Sequence, residues 1–299
     1  MNTAFVLSGG AALGAVQVGM MQSLHERDIR PDFIVGTSAG AINGSWIAGE
    51  GGYDNLDGLA DVWRGLTRKR VFPTSWTQLI KGFSGRSNYL VNPAALRRVL
   101  SSNVHYQRLE DAAIPFHVVA ADVLEGRDHL FSTGPTIDIV LASASIPGIL
   151  PPVSVGGRTY VDGGTVNNTP LSHAIGLGAD RVWVIPNGFT CGSEQMPTGA
   201  LPMALHAVSL LVNRRLARDV ERYRDHVDLR VVPPPCPIDV GALDFGQAAQ
   251  LTDQAKLTAA AWLDTLDLEA PVGAPDEDVA GPASVEPGVI ALDPDQVAE

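Results

Sequence analysis

The sequence predicts an α/β fold in which a mainly parallel β-sheet is covered by helices. Strand, helix, strand and helix succeed one another within the first fifty residues, a βαβα start that calls for parallel strands. The strand candidates are short, continuous apolar runs, as expected of strands buried on both faces. With 299 residues, 45% hydrophobic and 18% charged, the chain can bury a sizeable core as one large α/β domain or two ordinary ones.

Ala4-Phe5-Val6-Leu7 is the first strand, stopped by Gly9 and Gly10. Val16, Met20 and Leu24 then recur at helical spacing down to His25-Glu26-Arg27. After Pro31, Phe33-Ile34-Val35 forms a second buried strand ending at Gly36, and Ala39 to Ala48 is helical again. Helices are expected from Asp57 to Leu66 and from Pro93 to Leu100, the latter with Asn92 as N-cap and Pro93 at its first position. Between them, Val71 to Leu90 is loop-rich and aromatic, suited to packing on the body or to covering an apolar pocket. Strands return at 116–120 and 128–132 around a turn at Glu125-Gly126-Arg127. A helix from Ile137 to Ala144 follows, and a strand from Arg158 to Val161 delivers Asp162 into Gly163-Gly164. The remainder reads as helix 170–178, strand 181–185, helix 202–223, strand 227–232 and helix 246–266.

Charge and cysteine content narrow the function classes. A net charge of −12 argues against a nucleic-acid partner, which needs a basic face. Residues 271–299 hold seven acidic residues and no Lys or Arg, leaving −5 for the rest, so the body can approach an anionic membrane. This Pro- and Gly-rich acidic segment has little to bury and is expected to be a disordered tail. Cys191 and Cys236 lie in no CxxC or Cys/His pattern, so neither a metal site nor a disulfide is expected, only two free thiols of a reducing compartment. No basic n-region precedes the first strand, and no run approaches the roughly 18 apolar residues that span a bilayer. The expectation is a cytoplasmic protein, with peripheral contact at the inner membrane face, that uses no cofactor.

Gly36-Thr37-Ser38-Ala39-Gly40 is a GxSxG run between a strand and a helix. A serine on such a turn is held exposed under strain while the glycines let neighbouring backbone pass close by. The helix beginning at Ala39 adds N–H groups and the positive end of its dipole beside the hydroxyl, which favours a nucleophile and the oxyanion it creates.

Ser8-Gly9-Gly10-Ala11-Ala12-Leu13-Gly14 occupies the equivalent turn after the first strand. It does not fit GxGxxG, no acidic residue ends the second strand, and it lacks the Gly-Lys-Ser/Thr of a P-loop. An oxyanion loop presenting the N–H groups of Gly10 and Ala11 fits better. For the base, none of the seven histidines lies in a distinctive motif. A Ser–Asp–His hydrolase would carry its elbow after several strands, not after one. Asp162, leaving an apolar strand into two glycines, can meet Ser38 directly; read alone, the segment is equally a plain Asp-Gly turn.

In combination these segments resemble the patatin-like phospholipase family from about Ala4 to Leu266. The likeness rests on the glycine loop Gly9 to Gly14, on Gly36-Thr37-Ser38-Ala39-Gly40, and on Ala142-Ser143-Ala144-Ser145-Ile146-Pro147. It continues through Pro151-Pro152 and Asp162-Gly163-Gly164, with Asn167 and Pro170 behind. The resemblance implies a three-layer α/β/α domain over residues 1–270 and a Ser38–Asp162 dyad. It also implies no metal and hydrolysis of fatty-acyl esters or phospholipids. The family loop is usually Gly-Gly-Gly-x-Arg/Lys-Gly; here Ala11 and Leu13 replace the third glycine and the basic residue. That change is compatible with a less charged acyl substrate, with a cation supplied from elsewhere, or with a weakened site. Acyl transfer to another acceptor, thioester hydrolysis and a lipid-binding regulatory module are the alternatives.

Overall fold

The computed structural model of the chain describes residues 1–73, 87–188, 198–238, 240–241 and 243–268. The acidic tail and most of the aromatic segment at 74–86 therefore lie outside the described residues. Among the described residues eight strands form one mixed sheet: β1 (Thr3–Leu7), β2 (Phe33–Thr37), β3 (Phe116–Asp122), β4 (Asp128–Phe131), β5 (Val153–Val155), β6 (Arg158–Asp162), β7 (Arg181–Ile185) and β8 (Asp228–Val231). β1 lies between β2 and β7, and β2, β1, β7 and β8 run parallel, with β3 parallel to β2. The apolar runs of β1 and β2 are buried on both faces, as their sequence pattern requires.

Helices cover both faces. On one lie α1 (Gly14–His25), α2 (Ala39–Ile47), α3 (Leu56–Gly65), the single turn α4 (Arg68–Val71), α5 (Ala94–Asn103) and α6 (Thr136–Ser143), with α10 (Ala248–Leu263) packed on α1. Their core joins Phe5, Leu7 and Ile34 of the sheet to Met20, Leu59 and Leu251. The short helix α7 (Gly164–Asn167) caps the end of β6. On the other face α8 (Leu171–Gly176) and α9 (Ala200–Tyr223) pack Leu171, Ala174 and Leu216 against Val6, Val35 and Val184. This is a three-layer α/β/α arrangement.

Most expected elements are present within a residue or two. The helix after Asn92 starts one residue later than expected, at Ala94, and the Asn92 side chain accepts its N–H at 2.8 Å. β5 was hidden because Pro151-Pro152 and Gly156-Gly157 leave only three residues between turn signals. The expectation of two free thiols is corrected: Cys236 is disulfide-bonded, while Cys191 lies outside the described residues. Pairing requires an approach of Cα atoms that only the fold sets, and sequence spacing carried no trace of it. The thiol-based argument for a reducing compartment falls with it.

Strand β3 decides where the site forms. Its one edge pairs with β4 over residues 118–121. Its other edge is shared: β2 occupies the first half in parallel, up to Thr37 opposite Val119, and β6 the second half in antiparallel, with Asp162 opposite Ala120. The C-terminal ends of β2 and β6 therefore meet head to head at adjacent rungs of one strand.

Candidate active site

Ser38 is the single residue between β2 and α2, and its backbone is in the left-handed half of conformational space at φ 54° and ψ −119°. For a residue with a Cβ this is a strained geometry, and the surrounding packing enforces it. Gly40 makes that packing possible: a Cβ there would sit 2.2 Å from the Leu7 carbonyl oxygen. Gly36 in turn lies against the backbone of Gly40 and Ala41. The Ser38 N–H donates to Ser143 Oγ at 2.8 Å, and that hydroxyl donates to the Val119 carbonyl at 2.6 Å, tying the elbow to β3.

The convergence of β2 and β6 brings Ser38 Oγ to 2.6 Å from Asp162 Oδ2, as donor to the carboxylate. The other oxygen, Oδ1, accepts the Gly164 N–H at 2.7 Å. Gly163 between them passes over the Val119 carbonyl, where a Cβ would lie 2.4 Å away. Both side chains are buried. Burial pushes the Asp162 carboxyl up from its ordinary value to about 6, with the Ser38 hydroxyl and then the Gly164 N–H pulling the other way. None of the described histidines hydrogen-bonds to either residue; His25, His117 and His173 are engaged with Asp54, Ser132 and Asp128.

The glycine loop forms the second wall. Gly9 packs against Ser38, so that a Cβ on it would come within 3.0 Å of the Ser38 Cβ and 2.4 Å of Asn168 Oδ1. Ala11, like Ser38, has a positive φ, 51°, and opens a short 3-10 turn over Ala11–Leu13 that leads into α1. The N–H groups of Gly10, Ala11 and Ala39 have no acceptor among the described residues. The Gly9 N–H, by contrast, donates to the Asn168 carbonyl at 3.1 Å. Gly14 lets the Trp63 ring and α2 approach the start of α1. Leu13, in the position expected to be basic, packs against the apolar core.

Sequence reasoning missed what holds this loop from behind. Gln17 on α1 donates through Nε2 to the carbonyls of Ser8 and Ile185 at 3.0 and 2.8 Å. Asn43 on α2 donates to Gln17 Oε1 at 2.9 Å and accepts the Trp63 indole N–H at 2.7 Å. Asn187 donates its own N–H to Ser8 Oγ and its side-chain amide to the Ser8 carbonyl. The available signal was an amide on each of two apolar helices, Gln17 and Asn43, both fully buried here. A second chain runs behind β2 and β6. Thr37 Oγ1 donates to the Asn167 carbonyl, the Asn167 amide donates to Asp128 Oδ2, and His173 Nε2 lies 2.7 Å from that same oxygen. His173 foremost, then Asn167, holds the Asp128 carboxyl well below the usual carboxylate range.

The described residues contain no cluster of His, Cys, Asp or Glu that could hold a metal ion. Chemically, the site offers a strained serine hydroxyl, a buried carboxylate in contact with it, and backbone donors on two adjacent turns.

The family model "Patatin-like phospholipase" matches residues 5–175. Lysophospholipase nte1 of Aspergillus oryzae is 28% identical over 187 residues, which cover 62% of this chain and 12% of the fungal protein. An uncharacterised NTE family protein of Mycobacterium bovis is 30% identical over 192 residues, 64% of this chain and 51% of that one. The chain thus matches only part of the length of these relatives. Among solved structures, VipD from Legionella pneumophila is similar with a TM-score of 0.46 and 15% identity, over 88% of this chain and 66% of that one. Human GIVD cytosolic phospholipase A2 gives a TM-score of 0.45 and 12% identity, over 88% and 57%.

Proposed function

The chain belongs to the patatin-like phospholipase family, and from that premise we propose that it is a serine acyl-hydrolase of fatty-acyl esters, lysophospholipids included, working through a Ser38–Asp162 dyad. The observation that carries this reading is the 2.6 Å hydrogen bond from a strained Ser38 hydroxyl to a buried Asp162 carboxylate. In the proposed cycle, Asp162 accepts the Ser38 proton as Oγ attacks the ester carbonyl carbon. The N–H groups of Gly10, Ala11 and Ala39 receive the charge that develops on the carbonyl oxygen. Collapse breaks the ester C–O bond, and the proton on Asp162 passes to the departing alcohol. Water then attacks the acyl-serine, Asp162 takes its proton and returns it to Ser38 Oγ, and the free fatty acid leaves.

A carboxylate at its ordinary pKa is a poor acceptor for a serine proton. Desolvation of Asp162, which brings it to about 6, makes it a stronger base while leaving it ionised at neutral pH. The test uses p-nitrophenyl acyl esters and a fluorophosphonate serine probe on the wild type, Ser38→Ala and Asp162→Asn. Turnover and labelling lost in Ser38→Ala, with turnover strongly reduced in Asp162→Asn, is the expected result. Unchanged turnover in both variants overturns the dyad, and a wild type that neither turns over nor labels favours the lipid-binding module.

A further inference from the structure

We propose that the face carrying the Ser38–Asp162 site docks on an anionic lipid bilayer through two apolar overhangs, the β3–β4 hairpin tip and the N-terminal half of α9. β1, β2, β3 and β7 run parallel, so their C-terminal ends share one edge of the sheet, and Ser38 sits on that edge at the end of β2. Two apolar segments project past it, and the polar β5–β6 turn, with Arg158 and Gly156-Gly157, runs beside the first of them.

The first overhang is short. β3 continues to Asp122, three rungs beyond Val119, the partner of Thr37, which carries the hairpin about 10 Å past the end of β2. Its tip presents Val123 and Leu124, the latter 91% exposed. The second overhang is longer. α9 begins after β7 and ends just before β8, which is parallel to β7, so its C-terminus lies at the opposite edge of the sheet. Its 24 residues measure about 36 Å, whereas the five residues of β7 measure about 17 Å. About half of the helix therefore stands clear of the sheet on the Ser38 side. That half carries Met203, Val208, Leu210 and Leu211, all exposed, Leu211 at 72%. Arg215, at mid-helix, donates to the Val166 carbonyl in α7, placing the base of this overhang beside the Asp162 turn.

Distribution and charge select the partner. Of the nine large hydrophobic residues exposed among the described residues, six lie on these two overhangs. From residue 200 to residue 213 the helix holds no Asp, Glu, Lys or Arg; Arg214, Arg215, Arg218 and Arg222 then follow against Asp219 and Glu221. This cationic stretch belongs to a chain of net charge −12. An uncharged apolar end that can enter the bilayer surface, followed by Arg214, Arg215 and Arg218 where the headgroups would lie, fits anionic lipid. No described helix is long and apolar enough to cross the bilayer. Docked in this way, the site faces the bilayer, and an acyl ester can reach it without full transfer through water.

The choice of substrate source rests on the acyl-hydrolase reading; the surface itself does not. The test is flotation of the full chain with vesicles of phosphatidylcholine alone or mixed with phosphatidylglycerol, alongside turnover of a soluble short-chain ester. Wild type is expected to float with the mixed vesicles and far less with phosphatidylcholine. Leu124→Asp and Leu211→Asp are each expected to weaken partition about tenfold, and the double variant more, with soluble-ester turnover unchanged. Arg214→Glu with Arg218→Glu should remove the preference for phosphatidylglycerol. A double leucine variant that floats like wild type overturns the proposal, as does a wild type that turns over ester but binds neither vesicle. Concentration-dependent dimerisation of wild type, lost in Leu211→Asp and without vesicle binding, overturns it in favour of a second copy of the chain. Vesicle binding without ester turnover leaves the docking surface standing and overturns the hydrolase reading alone.

Discussion

Two strand-to-helix turns stand side by side at the C-terminal edge of the sheet, one after β1 and one after β2, and they are built to present different things. Each holds a residue with a Cβ at positive φ, Ala11 at 51° and Ser38 at 54°. The β2 turn is one residue long and displays a side chain, which Asp162 engages at 2.6 Å. The β1 turn is longer, displays backbone N–H groups, and is held from behind by the amides of Gln17 and Asn187. A side chain is aimed by its own turn, whose strain is held by the Ser143 hydroxyl and by the packing of Gly40 on Leu7. A row of N–H groups has to be kept from other acceptors, and that takes support from distant elements.

The largest effect expected on this contrast comes from Ser38→Ala. It should lower kcat/KM for an acyl ester by about 10⁴-fold or more, since the proposed dyad leaves no substitute for the Ser38 hydroxyl. Asp162→Asn should cost about 10³-fold, measured on the same esters. It should also raise stability at pH 8. With the carboxyl at about 6 in the folded protein, above its ordinary value, the folded state holds the proton more tightly. Stability is therefore lost as pH rises from about 4 to 6, and a neutral amide escapes that loss. For wild type the same shift predicts kcat/KM rising with pH through an apparent pKa near 6, in a pH–rate profile.

Changes to the β1 turn should divide by whether they move its backbone. Gly9→Ala forces a Cβ to 2.4 Å from Asn168 Oδ1 and 3.0 Å from the Ser38 Cβ. It should cost kcat about 10²-fold with little change in KM, as loss of an oxyanion donor does. Gln17→Leu leaves the Ser8 and Ile185 carbonyls without its amide. It should destabilise the fold by about 2 kcal/mol in urea melts and lower kcat more modestly. Ala11→Gly should be the mildest, changing turnover by about twofold at most while relieving up to about 1 kcal/mol of backbone strain. A severe loss in Ala11→Gly would break the contrast, because the β1 turn would then depend on a side chain after all.

The legibility of the two turns in the sequence follows the same division. GxSxG after an apolar run specifies its own geometry within five residues, so the elbow could be placed from the chain alone. The β1 turn was recognisable only by its small residues. Of its buried supports, Gln17 and Asn43 are marked only as amides on apolar helices, and Asn187 not at all, because a hydrogen bond spanning the fold does not name its partner in the sequence. The disulfide at Cys236 and the strand β5 escaped for related reasons of distance and brevity.

By itself the sequence determined the α/β order of elements, the strand-turn-helix around Ser38 and the Asp162-Gly163-Gly164 exit of a second strand, since each depends on apolar runs and glycines a few residues apart. That Ser38 and Asp162 touch was decided by tertiary structure alone. β3 pairs with β2 up to Val119 and with β6 from Ala120, so two strand ends more than a hundred residues apart meet on adjacent rungs. Register between strands is set by the packing of whole faces of the sheet, and no short motif encodes it.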